Sequence, residues 1–414
     1  MTEPRCPAAG GRTGPSRRAV LGSGAALAAA GCSVSEASTP GGSGSPASMG
    51  TSPGATTAPR GFRGARQAGV VDPPPPYAAW VALDLPSGAT RDGLRRLMRI
   101  LSADVERVVA GRGTLTDQEP ELARLAGGLS VTVAWGPRAY ALSGAPVPGW
   151  LKPLPAFPID RLTPAFSGGD VILQVCADSP VTGAHTQRRL ITSAGSLARL
   201  GWVQRGFREP LATDDGPVRM RNLFGQVDGT VQPATDGADD ELLWCGADAG
   251  AMRDGTALVV RRIAMDLEGW DRADRTAREN AIRRRLSDGA PLTGGVERTA
   301  PDLDAVDPLG LPVIDTFAHV RRAMPQAPHE RILRRPYNYD DLPPRGVRSD
   351  SGLVFVAFCA DPVRQFLPIQ RRLAQSDLLN LWTTPVDSTV AAVLPGVPES
   401  AGADGYLGQP QLEG

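Results

Sequence analysis

The 414-residue sequence predicts an α+β or mixed α/β fold built from two similar halves. Three observations carry that expectation. First, apolar runs of strand length alternate with segments of helical periodicity. Second, turn-linked strand pairs occur among them, and no Gly-x-Gly-x-x-Gly opens a helix after a strand, which argues against a doubly wound nucleotide fold. Third, residues 176–190 (CADSPVTGAHTQRRL) and 359–373 (CADPVRQFLPIQRRL) share Cys, Ala, Asp, Gln, Arg, Arg and Leu at identical spacing. Each copy follows an apolar, β-rich run, so the chain holds two equivalent strand–helix units. A duplicated fold leaves a shared core or cleft between its halves, a common place for ligands.

The chain begins with an address. Arg17 and Arg18 precede a short run of Ala, Leu and Gly, the pattern of a twin-arginine export signal over residues 1–32. Cys32 ends AAAGC, which resembles a bacterial lipoprotein cleavage site, although Ala29 stands where Leu is usual. Lipidation at Cys32 and ordinary signal-peptidase cleavage both stay open. Residues 33–65 are rich in Ser, Gly, Pro and Thr and cannot bury enough apolar surface to fold, so they predict a disordered tether. Strands are expected over 78–85, 128–136, 168–178, 256–267 and 351–361. Helices are expected over 91–111, after 178, and over 274–287 and 362–375. Residues 399–414 form a C-terminal tail.

Composition narrows the function classes. Forty-four basic and 44 acidic residues give no net charge, and no basic stripe carries interleaved aromatics, so nucleic acid is not the expected partner. No apolar run in the body of the chain reaches the roughly 20 residues that span a bilayer. Cys6, Cys32, Cys176, Cys245 and Cys359 include no Cys-x-x-Cys pair, which removes a zinc ribbon or thioredoxin-like site. Cys176 and Cys359 end equivalent strands and read as small buried residues. With only His185, His319 and His329 present, a His-rich metal cluster is excluded but a single-histidine site is not.

Three places carry candidate chemistry. In FGQVDGT (224–230), Gly225 and Gly229 flank Asp228. Glycine admits backbone conformations closed to other residues and lets a ligand approach closely. Asp-Gly alone favours a turn, yet RMRNLFGQVDGTVQP shows little hairpin alternation. His319 lies in IDTFAHVRRAMPQAP. Downstream, Arg334 and Arg335 stand between apolar residues and an aromatic cluster in ILRRPYNY, where an arginine can stabilise an anion or polarise a peroxide oxygen. No Gly-x-Ser-x-Gly elbow accompanies them, so a hydrolase triad is not indicated.

Taken together, these segments resemble the dye-decolourising (DyP-type) haem peroxidases. The family's Gly-x-x-Asp-Gly hallmark is intact in RNLFGQVDGT. RQAGVVDPPPPYAAWVALDL, SGGDVILQVCAD, ALVVRRIAMDLEGWDR, GAPLTG, AHVRRAMP, ILRRPYNY and GLVFVAFCADP occur in the family's order, over about residues 66–398. The export signal suits the branch that includes proteins described as deferrochelatases. The resemblance implies two ferredoxin-like units, antiparallel sheets with helices packed on them, over about 66–215 and 216–398. One haem b per chain would lie between them. It implies His319 as the proximal ligand of the haem iron, and Asp228 and Arg334 as the distal pair. Asp377, in AQSDLLN, would accept from the ring's other nitrogen, and Gly225 and Gly229 would let the backbone lie close to the haem face.

The implied partners are hydrogen peroxide and an organic reductant, such as a dye or phenolic, oxidised in single-electron steps. Asp228 would move a proton between the oxygens of peroxide, and Arg334 would stabilise charge as the O–O bond breaks. Release of iron from haem is the alternative activity. The address implies an extracellular or cell-envelope location, with Cys32 as a membrane anchor if lipidated; a homo-oligomer is compatible with the sequence. Departures from the family pattern are Met324, where Ala-Asn-Pro is usual after the histidine, Arg66 before QAG, and a short interval from His319 to Arg334. His329 is the rival ligand and His185 reads as structural. Tyr337, Tyr339 and Trp382 are candidate electron relays on chemistry alone, against ordinary packing as the simpler reading of each.

Overall fold

The computed structural model describes residues 60–124, 127–209 and 219–414. The export signal, Cys32 and the tether up to residue 59 lie outside the described residues.

The first half is a strand–helix–strand–strand–helix–strand unit. Strand β1 (Tyr77–Asp84) leads to helix α1 (Arg91–Val109), then β2 (Ser130–Trp135), β3 (Val171–Ala177), α2 (Pro180–Ala194) and β4 (Arg199–Phe207). Helix α1 starts where the Thr90 side chain accepts from Gly93 N, and its stripe of Leu94, Leu97, Leu101, Val105 and Val108 is buried. Helix α2 starts in the same way, with Ser179 accepting from Thr182 N and Pro180 in the first turn. The sheet order is β2-β3-β1-β4, antiparallel throughout.

The second half repeats this plan. Strand β5 (Thr256–Met265) is followed by a long connection that carries the short helix α3 (His319–Ala323). Then come β6 (Tyr337–Asp341), β7 (Asp350–Cys359), α4 (Phe366–Ser376) and β8 (Thr389–Val393). The order β6-β7-β5-β8 matches the first half strand for strand. The repeat read in the sequence maps onto β3–α2 and β7–α4. The connection that holds α1 in the first half therefore holds His319 in the second.

Two narrow seams join the sheets into a closed ring. Strand β4 meets β6 through Phe207 and Asn338 alone, and β8 meets β2 through Ala392–Trp135 and Val393–Ala134. Because one face looks into the ring and the other is covered outside, β2 and β3 are buried at every residue. Their sequences are correspondingly apolar without strict alternation. The ring interior holds Trp80, Leu258, Val260, Tyr337, Val354, Val356 and Phe358, with Trp80 and Tyr337 in edge contact at 5.4 Å. Outside, α1 packs its stripe on Val81, Leu83, Val133 and Leu173. Around the second half, Phe355 bridges two smaller clusters, one reaching Phe366 of α4 and the other Leu378 and Leu379.

Several boundaries differ from expectation. The helix expected over 274–287 ends at Ile282, because Arg283 adopts a left-handed φ of 68° and the chain folds back, Leu292 N donating to Arg283 O at 3.1 Å. The helix expected from 362 begins at Phe366. Asp361 Oδ1 accepts from Val363 N and Arg364 N, which holds a turn open before it. Pro368 fits inside α4 because first-turn N–H groups have no intrahelical partner. The tether also stops short of 65: Arg63 bridges to Val397 and pairs with Glu106 at 2.8 Å. Residues 399–414 do not trail either. Tyr406, Leu407 and Leu412 are buried in the first half's outer core.

Candidate active site

Asp228 belongs to a minute hairpin. Met220–Arg221 pairs with Val227–Asp228, and Met220 stands opposite Asp228. Asn222 closes the corner: its N donates to Gln226 O at 3.0 Å and its Oδ1 accepts from Phe224 N and Gln226 N, both at 3.1 Å. Gly225, at φ 79°, makes the bend. The turn reading of this stretch is thus right about the hairpin but misplaces its corner, which lies at 223–225. Strands of two residues are too short to show alternation. An added Cβ on Gly225 would meet nothing within 4 Å, so its positive φ demands glycine here, not crowding. Gly229, at φ 97°, turns the chain away immediately after Asp228.

Arg334 reaches Asp228 from a short strand 106 residues further along the chain. Leu333–Arg334 pairs with Ala357 and Phe358 of β7. Arg334 Nη1 donates to Asp228 Oδ1 at 2.7 Å, and Nη2 donates to Val231 O at 3.3 Å. Two residues not singled out in the sequence hold this arrangement. Gln232 accepts from Arg334 N at 2.9 Å through Oε1 and donates to Arg334 O at 2.8 Å through Nε2. Glu297 accepts from Thr230 Oγ1 at 2.8 Å, two residues past Asp228, and pairs with Arg219. Only a general signal pointed to them: both are polar residues in segments that the resemblance covers.

His319 opens α3, and its Nδ1 lies 2.5 Å from Asp377 Oδ2. Asp377 ends α4, and its Oδ1 accepts from Leu379 N at 3.0 Å, so both carboxylate oxygens are engaged. The Asp377 side chain is 4% exposed, whereas that of His319 keeps 36% exposure. The ring is thus pinned on one nitrogen and open at the other. Burial works against a charged imidazole, but the Asp377 carboxylate and its hydrogen bond outweigh it, so His319 sits above the ordinary histidine value. Arg334 pulls the other way and Asp228 adds to the rise, which places the two pairs within electrostatic reach of each other. Arg372, one of the repeat's arginines, ties α3 to α4 by donating to Arg322 O at 3.2 Å and Met324 O at 3.0 Å. Met324 therefore contributes its backbone here.

The other candidates lie elsewhere. His329 is exposed, and its backbone carbonyl accepts from Arg331 N. His185 lies in the first half, buried against Asp117 at 2.8 Å. Tyr337 and Tyr339 are not surface residues; both are buried inside the ring. Trp382 is partly exposed, in edge contact with Trp270 at 5.2 Å, and Trp270 stacks on Phe224 at 4.3 Å. Arg66 pairs with Asp240 and Asp254 and lies over the Trp244 ring at 4.7 Å.

This donor set fits a haem iron. A ligating histidine gives one nitrogen to the metal and the other to an oriented carboxylate. Asp377 Oδ2 takes Nδ1–H, which leaves Nε2 with its lone pair toward the open side. A carboxylate–guanidinium pair within reach of that ring supplies an acid–base group and a fixed positive charge.

Comparison with known proteins agrees with this geometry. A family model described as Dyp-type peroxidase, N-terminal, matches residues 67–208, and one described as Dyp-type peroxidase, C-terminal, matches residues 219–398. The dye-decolorizing peroxidase of Thermobifida fusca is 36% identical, covering 84% of each chain. The deferrochelatase of Escherichia coli K12 is 31% identical, covering 96% of this chain and 97% of that one. Among solved structures, a DyP-type peroxidase from Cellulomonas bogoriensis superimposes with a TM-score of 0.82 at 49% identity, covering 88% of this chain and 100% of that one. Ferric DtpA from Streptomyces lividans gives 0.80 at 36%, covering 87% and 98%. The chain belongs to the DyP-type peroxidase family. It is a haem-dependent oxidoreductase that uses peroxide as the acceptor.

Proposed function

We propose that Asp228, Arg334, His319 and Asp377 form the catalytic centre of this peroxidase. The single observation that carries the proposal is the pairing of Asp228 with Arg334 within electrostatic reach of a histidine pinned to Asp377. Bound haem supplies the redox chemistry of peroxide reduction and single-electron oxidation. His319 would hold the iron through Nε2, and Asp377, by accepting from Nδ1, fixes the tautomer and raises the ring's basicity. Asp228 has one oxygen held by Arg334, so the other is the proton carrier between the two oxygens of peroxide. Arg334 stabilises negative charge on the departing oxygen. Gly225 and Gly229 shape the hairpin that presents Asp228.

Organic dyes are the proposed reductants, as the name of the Thermobifida fusca relative suggests, and phenolics are proposed beside them. Likeness to the deferrochelatase over nearly the whole chain supports a second reading, release of iron from haem at the same His319. An assay of dye turnover with peroxide, run beside extraction of iron-free porphyrin, separates them. Dye turnover without porphyrin supports the first, and porphyrin without turnover overturns it.

The twin-arginine signal at 1–32 supports export, as a folded and haem-loaded protein, to the cell envelope or beyond. Lipidation of Cys32 would tether it there. Cys32→Ala then shifts the protein from the membrane to the soluble fraction; equal partition before and after rejects the anchor.

A further inference from the structure

Residue 335 presents a charge problem separate from the catalytic pair. Arg334 and Arg335 are consecutive, and Arg334 turns to Asp228 while Arg335 turns to the loop before β1. That loop contains Pro73, Pro74, Pro75 and Pro76. Proline has no N–H, so the segment offers acceptors only. Its carbonyls collect donors from around it. Arg335 Nη1 donates to Asp72 O, Arg60 Nη2 to Pro73 O at 2.6 Å, Tyr337 Oη to Pro75 O at 2.9 Å, and Arg208 N to Pro76 O at 2.7 Å.

This accounts for one nitrogen of Arg335 and leaves two. Nε and Nη2 are buried and have no hydrogen-bond partner. The residue is 3% exposed, and no carboxylate among the described residues pairs with it. Asp72, whose backbone carbonyl Arg335 meets, directs its Oδ2 to Gly69 N at 2.5 Å and lies 3.9 Å from Arg60 Nη1. Nε and Nη2 form the side of the guanidinium that grips a carboxylate or nitrate with two parallel bonds. Arginine cannot escape the cost of a buried charge by losing its proton.

A second buried cation adds to the problem. Arg208 lies over the Tyr337 ring at 5.6 Å. Burial, with the like charge of Arg335, holds its guanidinium down to about 10. With a like charge beside it, the buried Arg335 guanidinium favours a counter-charge.

Solvent reaches the other side of this loop. A groove of about 790 Å³ runs along Arg60, Arg66, Asp72 and Pro73, with Asp236 and Trp244 opposite. Arg60 lines it with a side chain that is 7% exposed, and its Nη1 makes no hydrogen bond but pairs with Asp72 Oδ2 at 3.9 Å. The groove therefore reaches the same loop that Arg335 touches from within.

We propose that Arg335, beside Arg208, binds a small monovalent anion at the end of the closed ring, entered through this groove. The anion takes both free N–H groups, a planar oxoanion by two oxygens or a halide by one atom. Arg208 lies within electrostatic reach of Asp228, so occupancy alters the field at the distal pair. The site itself does not depend on the role given to Asp228.

The test uses the holoenzyme at constant ionic strength, with gluconate replaced stepwise by nitrate or by chloride. The expected result is a melting temperature that rises along a single-site isotherm. Nitrate should act at lower concentration than chloride if the two-bond grip decides, and chloride at lower concentration if the anion sits as a point charge. Arg335→Gln keeps a donor for the Asp72 carbonyl but removes the charge and the open edge; it should weaken the anion by about tenfold or more. Identical salt responses in wild type and Arg335→Gln overturn the proposal, as does a wild-type response that fails to saturate. If the variant does not fold, chloride-35 line broadening on the wild-type holoenzyme decides. Broadening displaced by nitrate at one site per chain supports the site, and no displaceable broadening refutes it.

Discussion

Replacing Arg334 by Leu is the most direct probe of the distal pair. The substitution removes the 2.7 Å bond to Asp228 and the 3.3 Å bond to Val231 O, but leaves both backbone bonds to Gln232 in place. The strand position of residue 334 should therefore survive. The pair is partly buried, at 29% and 13% side-chain exposure. Its loss falls between the 0–1 kcal/mol of a surface pair and the 3–5 kcal/mol of a broken buried one, so about 1–2 kcal/mol of stability is expected to go. The kinetic effect should be larger. A pre-oriented positive group aimed at developing charge is worth about 10²–10³ in rate, roughly 2.7–4 kcal/mol. Stopped-flow spectra of the haem band after mixing with peroxide measure that step. The resting spectrum and haem content should match wild type while the peroxide rate constant falls by that factor. Arg334→Lys, with the charge but one compact donor, should lie between. An unchanged peroxide rate in Arg334→Leu, with Asp228 intact, would refute this account of the distal side.

Three further outcomes follow from the same structure. His319→Ala should abolish or badly weaken haem binding; full occupancy with an unchanged spectrum would remove His319 as ligand. Gln232→Ala deletes both bonds to the Arg334 backbone, and should lower the peroxide rate several-fold with haem content preserved; a rate equal to wild type would show that β7 alone positions Arg334. Asp387 is buried, its Oδ1 has no partner, and burial pushes its carboxyl up to about 7. A carboxyl raised above its unfolded value contributes stability in full below about pH 4 and loses it as pH rises toward 7. Asp387→Asn should therefore raise the melting temperature at pH 8 and gain little at pH 4; equal shifts at both values would show that Asp387 is not held protonated.

Much of this molecule was legible in the sequence, for identifiable reasons. The duplication showed because β3–α2 and β7–α4 keep the same residues where strand meets helix. The main strands showed because the ring buries them on both faces, which yields long apolar runs. The corner of the hairpin holding Asp228 did not show, since two-residue strands carry no period and Asn222, not Asp-Gly, closes it. Asp377 was reached through family resemblance; nothing local marks an aspartate that ends one helix and meets a histidine 58 residues away. Gln232 and Glu297 were missed because their partners lie 102 and 67 residues distant, and only the fold makes them neighbours. Tyr337 and Tyr339 were offered as electron relays on their chemistry alone, with ordinary packing as the competing reading. In fact their strand turns both rings into the closed sheet.

The seams of that sheet carry a consequence for how such a protein can be divided. Strands β2 and β4 are the two outer strands of the first half, and β6 and β8 those of the second. Each is covered only by its counterpart across a seam: fourth strand to second, in both directions. A half produced alone would expose two unpaired backbone edges, the usual template for uncontrolled strand addition. The same pairing rule is self-complementary, however. Two copies of one half, related by a twofold axis, would satisfy each other's edges as the two halves do here. The fold is in this sense a dimer written on a single chain, and cutting it near residue 215 should yield a partner-seeking fragment and not a smaller soluble domain.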